Sequence, residues 1–182
     1  MRLLPIVERV LRWYEPYIDE QGTPRDIPEW NLIDWASVFS SHRSSLITGL
    51  WARGLAEYVE MAYWLGNAAS SAWARAHWQR ARDGFQHFWE PRRGSYVDHI
   101  VDGRRMPAMS QAAGAVAIVS GLAPPERWPG IIDVITDPAT LVVRSWIGGD
   151  DGGPPRGAVA VKGVISVGVI TVWAPLTLAT NI

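Results

Sequence analysis

Apolar residues recur at spacings of three and four along the first half of the chain, and that rhythm predicts helices. From Leu3 to about Ile18, Ile6, Val10, Leu11, Trp13, Tyr14 and Tyr17 share one helical face, with Pro16 kinking or closing the last turn. Gly22 and Pro24 end this helix, and residues 26–34 read as a loop. A second helix is predicted from Ser44 or Ser45 to Leu65, burying Leu46, Leu50, Trp51, Leu55, Tyr58, Val59, Ala62 and Leu65. A third runs from Ala68 to Trp89, with Trp73, Ala76, His77, Arg80, Ala81, Phe85, Phe88 and Trp89 on its apolar stripe. The link Gly66-Asn67 is so short that these two helices must lie antiparallel as a hairpin.

Beyond Glu90-Pro91 and Gly94 the helical rhythm pauses. Residues 95–106 read as a loop with a short strand or β-turn around Tyr96-Val97-Asp98. The Ala-rich stretch from Pro107 to Leu122, with Val116, Ile118 and Val119, suits a tightly packed inner helix, and a short helix is expected near Glu126 to Ile135. Glu15-Pro16 and Glu90-Pro91, 75 positions apart, each close a helix ahead of a loop, which fits the period of a stacked hairpin array. From Pro154 onward the only charged side chains are Arg156 and Lys162, and Val159 to Val172 is rich in β-branched residues. Lys162, Gly163 and Gly168 argue against a membrane span there.

Composition narrows the function classes. At 182 residues the chain can bury a real core. Its net charge is −1 and its basic residues are scattered, so nothing resembles a phosphate-tracking surface and nucleic acid is not an expected partner. The lack of cysteine excludes disulfides and thiolate metal sites and fits a cytoplasmic protein. The N-terminal segment carries Glu8, Arg9 and Arg12 on a helical repeat and reads as mature structure rather than a signal peptide. Eleven tryptophans are several times the usual complement, and either a glycan cleft or packing between thick helices accounts for them.

The densest candidate chemistry is the loop Pro28-Glu29-Trp30-Asn31-Leu32-Ile33-Asp34-Trp35. A sugar ring offers apolar C–H faces to an indole and hydroxyls to a carboxylate, so Trp30, Asp34 and Trp35 are candidate sugar contacts. The alternative is that both indoles plug the ends of a helical core. Ser110-Gln111 opens the inner helix, where the Gln111 amide could bind a hydroxyl, or Ser110 could be a local cap. His42, His77, His87 and His99 lack the spacing of a metal site and read as packing or surface residues, and no cofactor is expected. Glu57 and Glu60 beside Arg53 read as a solvated face with local ion pairs. Residues 148–153 lack the residues of a phosphate or calcium loop and read as a flexible turn.

The order Trp30-Asn31-Leu32-Ile33-Asp34-Trp35, a helix ending Tyr63-Trp64-Leu65-Gly66, a helix ending Phe88-Trp89, then Ser110-Gln111 and Ser120-Gly121-Leu122-Ala123-Pro124 resembles bacterial α-L-rhamnosidases, the six-hairpin glycosidases of family GH78. The resemblance covers about residues 1–150. It implies an all-α fold, part of an (α/α)6 toroid of antiparallel hairpins, over 1–153, whereas the irregular or β-prone tail over 154–182 matches neither the family nor the upstream composition and is expected to be foreign or the product of a shifted reading frame. It also implies inverting hydrolysis of terminal α-L-rhamnosides by two carboxyl groups separated by roughly 6.5–9.5 Å. By matching, Asp34 and Trp35 border the sugar pocket, with Trp35 as the stacking platform.

The family's acid motif has no match here, and its water-activating glutamate should lie downstream of the resemblance. The chain is therefore expected to be a fragment, inactive alone, with a rhamnoside as its carbohydrate ligand and uncovered helix faces that invite self-association. The alternatives are a non-catalytic helical interaction module and a fragment of another six-hairpin sugar hydrolase.

Overall fold

The computed structural model describes residues 3–28 and 41–137. Five α-helices dominate: α1 (Leu4–Arg12), α2 (Ser45–Trp64), α3 (Ala68–Phe85), α4 (Gln111–Val119) and α5 (Trp128–Thr136). Short strands fill the connections: β1 (Arg43–Ser44), β2 (Trp89–Glu90), β3 (Ser95–Tyr96), β4 (His99–Val101) and β5 (Arg104–Arg105). β1, β4 and β5 pair in that order as one antiparallel sheet, and β2 pairs with β3 as a hairpin.

Cross-helix contacts fix the directions. Along α2 and α4, Ser45 and Ser110 both bond Asp98, Gly49 meets Val116, and the Arg53 guanidinium donates to the Val119 carbonyl at 2.8 Å, so the two helices run parallel. A Cβ at Gly49 would stand 2.5 Å from a Val116 methyl, which makes the missing side chain the condition for this close approach. α1 opposes α2, since Tyr58 donates to Glu8 while the Trp51 indole donates to the Leu11 carbonyl. α3 opposes α2 across the Gly66-Asn67 turn, where Asn67 caps α3 by accepting from the Ser70 N–H at 3.1 Å. α5 opposes α4, with Gln111 bonded to Ile135.

The result is an arc of antiparallel helical hairpins. α2 and α4 form one layer and α1, α3 and α5 the other, as in part of a hairpin toroid. Leu55, Ala62, Ala74, Ala81, Phe85, Phe88, Tyr96, Met109, Ala117, Leu122 and Ile131 make a continuous core. One lateral face of α1 is left uncovered, and Leu3, Ile6, Val10 and Trp13 on it are exposed. No described helix is long and apolar enough to cross a membrane.

Several sequence boundaries shift. The first helix stops at Arg12, and Pro16 sits inside a separate 3₁₀ turn, Glu15–Tyr17. α3 stops at Phe85 because a second 3₁₀ turn, Gln86–Phe88, leads Trp89 into β2. Ala76, Arg80 and Leu50 are exposed, while Ala74 carries the α3 contact. The two Glu-Pro pairs therefore differ locally, one in a 3₁₀ turn and the other ending a strand. Residues 154–182 lie outside the described residues.

Candidate functional site

α2 and α4 begin at the same end of the arc, and Asp98 lies between their starts. Its carbonyl accepts from both the N–H and the hydroxyl of Ser45, at 2.9 and 3.0 Å. Its Oδ1 accepts from the Ser110 N–H at 2.7 Å, and its own N–H donates to Ala108. Ser44 and Ser110 then cap their helices, accepting from Ile47 and Ala113. Because β1 pairs with β4, the strand entering α2 and the strand leaving Asp98 are locked in register, Ser44 opposite His99.

Asp98 is wholly buried, and burial pushes its carboxyl above the usual range against the pull of the Ser110 hydrogen bonds. Beside it, Arg43 is buried in an ion pair with Asp19 at 2.9 Å and donates twice to the Thr23 hydroxyl. Those bonds tie the segment after α1 to the start of α2. Charge is thus concentrated and internally directed at this end.

The segment that carries the predicted sugar contacts is fastened here. Asp26 and His42, its two stems, both adopt left-handed backbone conformations, with φ of 50° and 56°. The Asp26 N–H donates to the His42 carbonyl at 3.1 Å, and the His42 ring lies 3.4 Å from the Asp26 carboxylate. Such backbone costs an L-residue of order 1 kcal/mol and persists where surrounding bonds over-determine it. Trp30, Asp34 and Trp35 lie outside the described residues, within 29–40.

Gln111 is placed at this same end. It is 5% exposed and its amide nitrogen donates to the Ile135 carbonyl at 2.8 Å, leaving its oxygen as the other available group. Ser110 has the capping role that was one of its two sequence readings. Glu57 pairs with Arg53, as the solvated-face reading required. His77 packs between the Trp51 and Trp73 rings with its Nε2 3.6 Å from Glu15, and burial pulls its pKa down. Among the described residues no three metal-ligating side chains gather. A groove of about 410 Å³ is bordered by Arg82, Gln86, Leu122, Pro125 and Arg127, and among its described lining residues Gln111 does not appear.

Asp98 was not among the residues singled out as a site. Its only sequence signal is a polar pair, Asp98-His99, set inside the apolar run Tyr96-Val97 and Ile100-Val101. A second polar cluster, remote from this end, was also missed. Glu8 there accepts from Tyr58 at 2.5 Å, Ser70 at 2.7 Å and Arg12 at 2.7 Å, and these bonds, led by the Tyr58 hydroxyl, hold its pKa down at about 2.

Among the described residues, an arc of antiparallel hairpins with buried polar residues at the paired starts of α2 and α4 defines a class of fold, part of a helical hairpin toroid. No family model matches the sequence, and comparison with curated proteins gives no match. Among solved structures the chain is similar to the GH78 family rhamnosidase of Bacillus sp. GL1, with a TM-score of 0.72 and 22% identity over 90% of this chain and 17% of that one. It is also similar to a rhamnosidase from Klebsiella oxytoca with rhamnose bound, with a TM-score of 0.67 and 18% identity over 98% of this chain and 32% of that one. The chain shares the fold of part of these rhamnosidases and spans about a sixth and a third of their lengths.

Proposed function

We propose that the chain is a segment of a sugar-cleaving toroid of rhamnosidase type, with its sugar-facing end where α2 and α4 begin. One observation carries the reading: the arc matches rhamnosidase structures, one of them with rhamnose bound, and the loop bearing Trp30, Asp34 and Trp35 has both stems fastened at that end. In this reading Trp35 is the platform on which the deoxyhexose lies, Trp30 walls it, and Asp34 accepts from its hydroxyls. Gln111 supplies the polar floor at the first turn of α4. Inverting hydrolysis belongs to the whole domain, because the acid motif is unmatched in this chain and the water-activating glutamate is expected downstream of the span of resemblance. In this reading residues 1–153 are part of a catalytic domain, the tail 154–182 is separate from it, and the location is cytoplasmic.

Tryptophan fluorescence titrated with L-rhamnose tests the reading. A saturable change that disappears in Trp35→Ala is expected, with no turnover of an aryl α-L-rhamnoside by the chain alone. A rhamnose response equal in Trp35→Ala and the parent chain would refute the platform, and measurable turnover would refute the missing carboxylates.

A second reading has its own observation. The uncovered stripe Leu3, Ile6, Val10 and Trp13 supports a helical interaction module that self-associates. Light scattering across a concentration series reads it directly: Val10→Glu should return a self-associating chain to monomer.

A further inference from the structure

Two polar ties fasten the first segment of the chain to the α2–α3 hairpin, and they answer acid differently. Within α1, Glu8 accepts from Tyr58 of α2 and from Ser70 of α3, with Arg12 alongside. Beyond the helix, in the 3₁₀ turn, Glu15 Oε1 accepts from the Trp73 indole at 2.8 Å and from Arg12 at 3.1 Å, and His77 Nε2 lies 3.6 Å from it.

The His77 ring stands edge-on to Trp51, with centroids 5.9 Å apart, and tilted against Trp73 at 5.1 Å. Its Nδ1 is buried and has no hydrogen-bond partner among the described residues. With its proton on Nε2, facing the Glu15 carboxylate, the neutral ring leaves only a bare acceptor inside. Protonation puts a second N–H and a charge on that buried side, where nothing accepts it. The charged groups around the ring are Glu15 on the turn, Arg12 on α1 and Arg80 on α3, while α2 meets it with the Trp51 ring. Burial disfavours the imidazolium most, Glu15 favours it, and Arg80 and Arg12 oppose it, which holds the pKa below its usual 6.5.

We propose that protonation of His77 loosens the turn Glu15–Tyr17 from the α2–α3 hairpin, so that this joint opens in mild acid while the Glu8 tie holds α1 in place. The fold favours the neutral ring, so the stability of the joint is complete above pH 6.5 and fades as pH falls through the folded value. Glu8 keeps its charge over that range, because its own pKa lies at about 2. The joint owes nothing to a bound sugar, and the sugar reading can fail without it.

Nuclear magnetic resonance of the full chain between about pH 7.5 and 5, combining titration of the His77 ring with hydrogen exchange, tests it. His77 should titrate below 6.5. In step with it, the Tyr17 and Ile18 amides, bonded to Tyr14 and Glu15, and the Trp73 indole N–H should lose protection, by up to about tenfold per pH unit, the limit for one proton. The Val7 amide, bonded to Leu3 in the first turn of α1, should keep its protection. His77→Gln, which takes up no proton, should abolish the acid response. A His77 that titrates at or above 6.5, protection unchanged through its titration, an equal loss at Val7, or an undiminished response in His77→Gln would overturn the proposal. If His77→Gln fails to fold, the titration of the parent chain decides it alone.

Discussion

The two ends of the helical arc are built on opposite principles. At one end the chain turns in a few residues, through Gly66-Asn67 between α2 and α3 and Gly121 to Pro124 after α4, and backbone bonds close the turns. At the other end the connections are long, and Asp98, Arg43, Ser45, Ser110 and Gln111 are all buried among them. A carboxylate marks the contrast. Glu8 lies against α2 near the short turn at Asn67, and three donors favour its charged form. Asp98, at the long-loop end, is buried with one oxygen unpaired, and its charged form is disfavoured. The first carboxylate has its charge supported by its neighbours, whereas burial disfavours the charge of the second.

The comparison breaks first if the two ends unfold separately. Leu55 is wholly buried in α2 between them, and Leu55→Ala should cost about 3 kcal/mol in urea unfolding, with fluorescence and circular dichroism reporting one shared transition. Two separate transitions would show that the ends are independent units. Glu8→Gln is next in size. It weakens what Tyr58, Ser70 and Arg12 bond to and should cost about 1–2 kcal/mol at pH 7. Because the folded pKa of Glu8 lies below its ordinary value of 4.5, its contribution is present above that value and fades as pH falls toward about 2. Unfolding midpoints across that window should therefore fall less steeply in Glu8→Gln.

Asn67→Ala removes the cap of α3 and should cost about 1 kcal/mol, as Ser110→Ala should at the start of α4. A pH-independent loss at Asn67 and a pH-dependent one at Ser110, read from thermal melts, would sharpen the contrast between the ends. The smallest effect has the opposite sign. The raised pKa of Asp98 favours its protonated form in the folded chain, so that advantage is present in acid and lost as pH rises through the folded value. Asp98→Asn should accordingly raise the melting temperature slightly at pH 7 and leave it unchanged in acid. A drop at pH 7 would show that the buried carboxylate is held by a partner that favours its charge.

Much of the scaffold was legible because its punctuation is strong. Ser44 and Gly66-Asn67 bracket α2 on both sides, and the structure ends the helix within a residue of that reading. The end of α3 was misread because Phe88 and Trp89 continue the apolar rhythm although the backbone has already changed to a 3₁₀ turn and a strand. Strands of two or three residues are too short to show a period of two, so the sheet that aligns β1 with β4 left no trace. The close approach at Gly49 was equally silent, since a glycine inside a helix looks like a weakness until its neighbour is known.

The candidate site divides in the same way. Ser110 and Gln111 were found because they open a helix, a position with a local signature. Asp98 was missed because burial of a polar residue is decided by residues distant in sequence, here Ser45 and Ser110. The likeness to rhamnosidases, carried by ordered short motifs, was met at the level of fold.

The clasp between Asp26 and His42 has a consequence for chain length. Because it closes the backbone before residue 29, the span beyond it can gain or lose length without straining the helices, and doubling such a loop costs only about 0.6 kcal/mol in closure entropy. The helices that the two stems join are thereby uncoupled from the number of residues set between those stems.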